Sequence, residues 1–239
     1  IPHPNTLDAE VIEGGKVVAC RRAISSGGGA YRIEGEPEDT SPQVYPHSSF
    51  SEIKEYCMKN DIRLSDYVFR MEPDIAEYLE NVWETMVAAI KRGLNAEGAL
   101  PGGLGVQRKA KFLYSQRHID ESPETRENRM VCSYAFAVAE ENASGGTIVT
   151  APTCGSCGVL PAVLYYVHKT RNVTKDAILR GLAVAGLIGN IIKTNASVSG
   201  AECRCQAEIG SACAMAAGGL AEMFELGDDQ VQYATEISI

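Results

Sequence analysis

Three segments of the sequence combine glycine with short polar side chains, a composition typical of ligand-binding loops. They span residues 140–146, 151–158 and 195–206. Glycine lets backbone N–H groups approach a ligand closely, and short hydroxyl or amide side chains can orient that ligand. The second and third segments also run into predicted helix starts, where unpaired N–H groups and the helix dipole favour an anion such as a substrate carboxylate. Ordinary helix caps and turns are the alternative explanation for any one segment.

The cysteines are concentrated in the same part of the chain, because five of the eight lie between residues 154 and 213. Cys154 and Cys157 have the spacing of a redox pair or of half a metal site. No second C-x-x-C and no neighbouring histidine completes a zinc site, and the flanking sequence does not predict the βαβ unit of a thioredoxin. Cys203 and Cys205 are predicted to precede a helix, where the dipole stabilises a thiolate.

Composition and charge exclude several classes of protein. The 239 residues are 45% hydrophobic and 22% charged, which is typical of a globular chain and not of a disordered one. The formal net charge of −9 argues against a nucleic-acid partner and against an anionic membrane surface. About 3% cysteine, in a chain long enough to build its own core, indicates reduced thiols and a cytoplasmic protein.

No membrane-spanning or targeting segment is predicted. The most apolar stretch, residues 177–192, is interrupted by Arg180 and Asn190. The first residues lack the basic-then-apolar pattern of a signal peptide. Because residue 1 is Ile and not Met, we expect the encoded protein to begin upstream.

The N-terminal part is predicted to form antiparallel strands. Gly14-Gly15 is a turn pair of the hairpin type between two alternating apolar runs. A loop rich in proline and acidic residues over 36–48 is the predicted boundary, which separates a β segment (1–48) from a helical catalytic domain (49–239). We expect that domain to be truncated at its C-terminus. The predicted strands are residues 9–12, 16–20 and 30–34.

The remainder follows the 3.6-residue period of helices, so the predicted fold class is mainly α with a short N-terminal antiparallel β segment. Ser51 and Ser65 are the predicted caps of two short helices, and Pro73 is placed in the first turn of a third. The last two long helices are rich in Ala and Gly, which predicts close packing at the centre of the domain. The long helices are predicted over residues 75–93, 124–141, 174–193 and 206–225.

Taken in chain order, these segments resemble the α part of the iron–sulfur L-serine dehydratases over nearly the whole chain. No single piece would be specific, but their combined order is. The resemblance rests on His3-Pro4-Asn5-Thr6, Ser26-Gly27-Gly28-Gly29, Leu100-Pro101-Gly102-Gly103-Leu104, Glu140-Glu141-Asn142-Ala143-Ser144-Gly145-Gly146, Thr150-Ala151-Pro152-Thr153, Gly158-Val159-Leu160-Pro161-Ala162-Val163-Leu164, Asn195-Ala196-Ser197-Val198-Ser199-Gly200-Ala201-Glu202 and Cys205-Gln206-Ala207-Glu208-Ile209-Gly210.

The resemblance implies conversion of L-serine to pyruvate and ammonia by a [4Fe–4S] cluster that three cysteines hold, with one iron left open as a Lewis acid. Cys205 matches the first of those cysteines, and the other two would follow Ile239. The family also implies a β domain or β subunit as partner, and we expect a homo-oligomer. This chain departs from the family pattern at Cys154-Gly155-Ser156-Cys157, where Asn-Gly-Ala-Ala is common, and at Cys203.

The candidate site residues follow from the three segments and the resemblance together. A base must remove the α-proton of serine, and at most one of the candidate glutamates does so. The metal ligand is Cys205, with Cys154, Cys157 and Cys203 as further candidates. The candidate bases are Glu141, Glu202 and Glu208, and the candidate substrate-binding residues are Ser26, Gly27, Gly28, Thr153, Asn195, Ser197, Ser199 and Gly200.

Three alternatives remain open from the sequence. A related lyase could act on another β-substituted amino acid, such as L-cysteine or L-threonine. A pyridoxal-phosphate enzyme is disfavoured, because no lysine lies in the glycine–serine segments. The third alternative is a non-catalytic, thiol-rich metal-binding subunit.

Overall fold

The computed structural model describes residues 5–27, 30–37, 43–150, 152–196 and 200–239, without the side chains of 26, 27, 30 and 200–204. The mainly α fold class with a short N-terminal antiparallel sheet is confirmed. Three strands precede nine helices in the described part of the chain. The elements are β1 (Thr6–Glu13), β2 (Lys16–Gly27), β3 (Ala30–Ile33), α1 (Phe50–Asn60), α2 (Leu64–Met71), α3 (Ile75–Asn95), α4 (Ala110–Ser115), α5 (Pro123–Ala143), α6 (Val159–Arg171), α7 (Lys175–Asn195), α8 (Gly200–Met223) and α9 (Asp228–Ile237).

The strands form one antiparallel sheet in the order β1-β2-β3. Gly14 and Gly15 both have positive φ, 57° and 77°, as a two-residue hairpin turn between right-twisted strands requires. Leu7 pairs with Ala23 and Val11 with Ala19, so one face is mostly apolar, with Arg21 opposite Ala9 between these pairs. That face is open, because Leu7 is 67% and Val11 54% exposed. The strands make their extensive contacts with one another and not with the helices.

The predicted caps of the first two helices are wrong, and side-chain chemistry explains why. Ser49, not Ser51, caps α1. The Ser49 hydroxyl accepts a hydrogen bond from the Glu52 backbone N–H, and the Glu52 carboxylate accepts one from the Ser49 backbone N–H. Ser65 is a buried residue inside α2, where its hydroxyl donates to Glu222 Oε1 at 2.7 Å. Its hydroxyl serves a tertiary contact and not a cap.

Three further differences concern helix positions. Pro73 precedes α3, which begins at Ile75 after the N-cap Asp74. Helix α6 begins directly after the second glycine-rich segment, where a helix start is predicted but without bounds, and Pro161 lies in its first turn, where a missing N–H does no harm. Helix α8 begins at Gly200 and not at residue 206, since no Gly or Pro interrupts the residues in between. Cys203 and Cys205 therefore lie within a helix and do not precede one.

Small residues bring the last long helices together, as their composition predicts. A Cβ added to Gly219 of α8 would lie 2.8 Å from the Gly181 carbonyl oxygen of α7. Helix α8 also contacts α6 and α9, which makes it the central helix of this half. The buried core is built from side chains of α1, α2, α3 and α5–α9, among them Leu64, Trp83, Met86, Ile90, Val138, Leu164, Leu182, Leu187 and Met215.

Helix α7 is long and apolar enough to cross a membrane by length and composition. In this fold Leu182, Val184 and Leu187 are buried, and α7 lies along α8 and against α2 and α3. Arg180 on the same helix pairs with Asp66 at 2.8 Å. This placement is that of a core helix, and core helices can also be long and apolar enough to meet the criteria for crossing a membrane.

Replacing Gly93 by Ala is expected to destabilise the helical part, because the added Cβ on α3 would lie 2.6 Å from the Ala137 Cα of α5. Overpacking of this kind costs about 1–3 kcal/mol of unfolding free energy. Gly186→Ala is the matched control, since nothing lies within 4 Å of its added Cβ. Ala is favoured over Gly inside a helix by about 0.5–1 kcal/mol. The urea midpoints of the two variants should therefore move in opposite directions, and an unchanged Gly93→Ala midpoint would contradict this helix crossing.

Candidate functional site

The fold brings the first two glycine-rich segments together and places Glu208, two residues after the third segment, beside them. Helix α5 ends in the first segment, and the Asn142 Nδ2 donates a hydrogen bond to the Cys154 carbonyl oxygen at 3.1 Å. The second segment forms a turn before α6, and its Gly155 lies against Glu208 of α8. We call this meeting point of α5, the turn at 153–158 and α8 the junction.

Gly155 lies in close contact with the Glu208 carboxylate at the junction. A Cβ at this position would lie 2.8 Å from the Glu208 Oε2, so the carboxylate occupies the space of a side chain. Cys205 precedes Glu208 by three residues on α8, and residues at that spacing share one face of a helix. The Cys205 thiol is exposed and Glu208 is half-buried. A carboxylate and a thiol thus lie side by side next to a glycine turn.

Thr153 and Ser156 hold this turn from within. Their hydroxyl oxygens are 3.1 Å apart, at hydrogen-bond distance, and both residues are buried. Thr153 was predicted to bind substrate, and the structure places it inside the turn at the junction. Its hydroxyl is engaged by Ser156, which suits a role in shaping the turn.

Glu141 belongs to a charge network beside the junction, in which the side chains of Glu141 and Arg108 are largely buried and Arg92 is exposed. Its Oε2 accepts a hydrogen bond from the Arg92 Nε at 2.7 Å, and its Oε1 lies 4.0 Å from the Arg108 Nη1. Arg92 also donates to the Thr147 carbonyl oxygen at 2.5 Å. Gly146 folds back over the carboxylate, since a Cβ there would lie 2.8 Å from Glu141 Oε2. The carboxylate of Glu141 thus anchors the loop that follows α5.

The neighbouring Glu140 is buried and positions α4. Its Oε1 accepts hydrogen bonds from the backbone N–H groups of Lys109 and Ala110, at 2.5 and 3.1 Å, where α4 begins. Its Oε2 lies 3.9 Å from the Arg108 Nη1. Arg108 also donates to the Ser144 hydroxyl at 2.6 Å. A single guanidinium therefore ties the end of α5 to the start of α4.

The Arg108→Met variant is expected to lose about 3–5 kcal/mol of unfolding free energy, because it leaves two buried carboxylates without this guanidinium. Lys111→Met is the matched control. It removes an exposed partner of Glu97 at 2.5 Å, a type of ion pair that contributes about 0–1 kcal/mol. Urea unfolding of the full encoded protein measures both. Equal effects for the two variants would show that the Arg108 network does not hold the structure.

The remaining predicted binding residues have mixed outcomes. Asn195 ends α7, and its Nδ2 donates to the carbonyl oxygens of Ser48 and Ile191 at 2.8 and 2.9 Å. Its amide group therefore links α7 to the segment that precedes α1. Gly27 ends β2 and Gly200 begins α8. The other predicted residues fall outside what the structure describes: Gly28, Ser197 and Ser199 entirely, and Ser26, Glu202 and Cys203 in their side chains.

A cleft with a volume of about 900 Å³ lies between α2, α3 and α7, and Glu208 is not among the residues that line it. It touches the second segment at Thr150 and Pro152. Most of its walls are apolar, such as Leu79, Met86 and Leu182. A small zwitterion is poorly matched to such walls, so we place the candidate site at the junction, where the polar groups meet.

Within the described residues, no three His, Cys, Asp or Glu side chains lie close enough together to hold a metal ion. Cys154 is exposed, whereas Cys157 is buried, and burial raises the pKa of its thiol to about 11. A raised thiol pKa disfavours the thiolate that binds a metal. The candidate ligands Cys154 and Cys157 therefore do not combine with Cys205 into a ready three-residue site.

Comparisons with known proteins give the family. The family model described as serine dehydratase alpha chain matches residues 15–239. L-serine dehydratase 1 of Escherichia coli (strain K12) is 41% identical over 254 residues, and L-serine dehydratase 2 of that strain is 40% identical over 253 residues; both alignments cover 99% of this chain and 55% of the relative. L-serine dehydratase of Haemophilus influenzae is 39% identical over 252 residues, with the same coverage. The chain thus spans about half the length of these relatives. It belongs to the serine dehydratase alpha chain family.

Proposed function

We propose that this chain carries the catalytic region of an L-serine ammonia-lyase, which converts L-serine to pyruvate and ammonia. The observation that carries the proposal is the junction, where Glu208 and Cys205 share a helix face beside the Gly155 turn. Family membership and relatives named L-serine dehydratases support the substrate.

The reaction requires a base, because the α-proton of serine is weakly acidic. We assign this role to Glu208. Glu141 is bound by Arg92, and its carboxylate is held as an anchor. Glu208 is half-buried and faces the turn, where a substrate can reach it. Loss of the α-proton and the β-hydroxyl gives an enamine and water; the enamine tautomerises to an imine, and water hydrolyses the imine to pyruvate and ammonia.

The turn is suited to hold the substrate carboxylate. It leads directly into α6, and the N-terminal end of a helix carries partial positive charge. Asn142 fixes the turn from the side of α5, and Thr153 with Ser156 fixes it from within. A carboxylate placed at this end of α6 would present its α-carbon toward Glu208.

We also propose that the family's [4Fe–4S] cluster is bound partly by this chain, through Cys205. Such a cluster, when bound, supplies a Lewis acid for the departing hydroxyl. The described residues do not complete its ligand set, since no three candidate ligands meet. The other ligands must come from residues outside the described ones. Ile239 packs against Gly210 of α8, the helix that carries Cys205.

A β domain or β subunit and a second copy of the chain are the proposed partners, with a cytoplasmic location. The uncovered apolar face of the β1–β3 sheet supports a protein partner, because exposed apolar patches of this kind mark interaction surfaces. The net charge of −9 continues to disfavour nucleic acid.

The test of the function uses the full encoded protein, reconstituted with iron and sulfide without oxygen. We expect pyruvate and ammonia from L-serine and far slower turnover of L-threonine and L-cysteine. Activity should fall on exposure to air. Faster turnover of another β-substituted amino acid would correct the substrate. Stoichiometric zinc in a protein that releases no ammonia from any of them would instead favour a metal-binding subunit.

A further inference from the structure

Cys154 and Cys157 lie at the two ends of one tight turn. The Cys157 backbone N–H donates to the Cys154 carbonyl oxygen at 3.4 Å, which is the hydrogen bond of a four-residue turn. The Cα atoms at the ends of such a turn are less than about 7 Å apart. Disulfides join Cα atoms separated by about 4.4–6.8 Å. The backbone therefore already holds the two cysteines at a separation close to the one that a disulfide needs.

The two thiols differ in access to solvent. Cys154 is exposed, whereas Cys157 is 1% exposed. An external oxidant can thus reach the first sulfur but not the second. This asymmetry is that of an attacking thiol with a buried resolving thiol. Burial raises the pKa of the Cys157 thiol, which makes it the less reactive of the two thiols.

We propose that Cys154 and Cys157 form a reversible disulfide with a low-molecular-weight disulfide as oxidant. The Cys154 thiolate attacks oxidised glutathione, a new S–S bond forms as the glutathione S–S bond breaks, and one glutathione thiolate leaves. Cys157 then gives its proton to solvent and attacks the Cys154 sulfur, so the second glutathione thiolate leaves. Two cysteine thiols are oxidised, one glutathione disulfide is reduced, and the two protons end on the released thiols.

A disulfide across this turn would also affect the contacts that the turn makes with α5 and α8 at the junction. Its Cys154 carbonyl accepts the hydrogen bond of Asn142, and its Gly155 is packed against the Glu208 carboxylate. Closing a disulfide across the turn pulls its ends together and shifts both contacts. We therefore expect oxidation to lower the rate of serine dehydration, and this coupling, unlike the disulfide, rests on the proposed function.

The disulfide is tested without reference to activity. The full encoded protein, kept free of oxygen, is equilibrated with glutathione buffers of rising oxidising strength, alkylated and analysed by peptide mass spectrometry. We expect a peptide linked between Cys154 and Cys157 that disappears with dithiothreitol, while Cys132 stays alkylated. The Cys157→Ser variant should trap glutathione on Cys154, and Cys154→Ser should form neither species. Persistence of both thiols in fully oxidised glutathione, or pairing of Cys154 with another cysteine, would overturn the proposal.

The coupling is tested by the ratio of oxidised to reduced rates within each protein. A shift of reacting groups by about 1 Å can cost up to about a hundredfold in rate, so we expect a drop between about tenfold and a hundredfold in the parent protein. The Cys154→Ser/Cys157→Ser double variant should show a ratio near one. A disulfide that forms with no change in rate would refute the coupling, and a protein without serine activity that still forms it would refute only the proposed function.

Discussion

The Glu208→Gln variant is expected to lower kcat for L-serine by about 10²–10⁴-fold, because the amide cannot accept the α-proton of the substrate. KM should change little, since Gln keeps the size of Glu beside Gly155. The decisive measurement is exchange of the α-hydrogen of L-serine with solvent deuterium, which reports proton removal even when elimination is slow. We expect this exchange to be lost together with pyruvate formation.

Two further variants make the result specific. Glu84→Gln changes an exposed glutamate on α3 and should leave kcat and exchange unaltered. Glu208→Asp keeps the carboxylate but shortens its reach, so part of the exchange should return. If Glu208→Gln still exchanges the α-hydrogen at the parent rate, the base lies elsewhere, and Glu202 becomes the next candidate to replace.

The Cys205→Ser variant of the full encoded protein is expected to lose most of its iron after anaerobic reconstitution. Even residues that only support a metal ligand change affinity by about 10–100-fold when mutated, so loss of a ligand should cost at least as much. Iron and acid-labile sulfide per chain measure the effect directly, and serine dehydration should fall in parallel.

Cys132→Ser is the matched control for this experiment. The Cys132 thiol lies on α5 beside Asn128, within 3.5 Å of its side-chain oxygen, and its removal should leave the iron content unchanged. Secondary structure followed by circular dichroism distinguishes loss of iron from loss of the fold. A folded Cys205→Ser protein with the iron content of the parent would exclude Cys205 as a ligand.

Local chemistry accounts for the features that sequence reasoning predicted correctly. The Gly14-Gly15 turn follows from residues that readily adopt positive φ. Helix α3 follows from apolar periodicity, and α5 begins at Pro123, a residue favoured in the first helical turn. All of these are properties of neighbours in sequence. Ser51 has Lys54 three residues after it, whereas Ser49 has Glu52, the partner that a reciprocal cap needs. The spacing of Ser49 and Glu52 in the sequence therefore indicates the correct start of α1.

The junction, by contrast, depends on contacts that no local pattern encodes. The hydrogen bond from Asn142 to Cys154 joins the end of α5 to the turn before α6, and the space filled by Glu208 at Gly155 is visible only once α8 is placed. Arg92 and Arg108 were not singled out from the sequence, since a lone arginine gives no sign of its partner. The separate roles proposed for Glu141 and Glu208 rest on those partners, and so the sequence alone left the base open.

The sheet that stands apart from the helices has a consequence for how unfolding of this chain is measured. A three-stranded sheet whose apolar face is exposed gains little stability from burial of apolar area, and few contacts with the helices let it open separately. Ellipticity at helical wavelengths follows α1–α9 and is nearly blind to such an event. A single melting midpoint would thus describe the helical bundle alone, while protection of the amides of β1 and β2 against deuterium uptake would report a lower, local free energy.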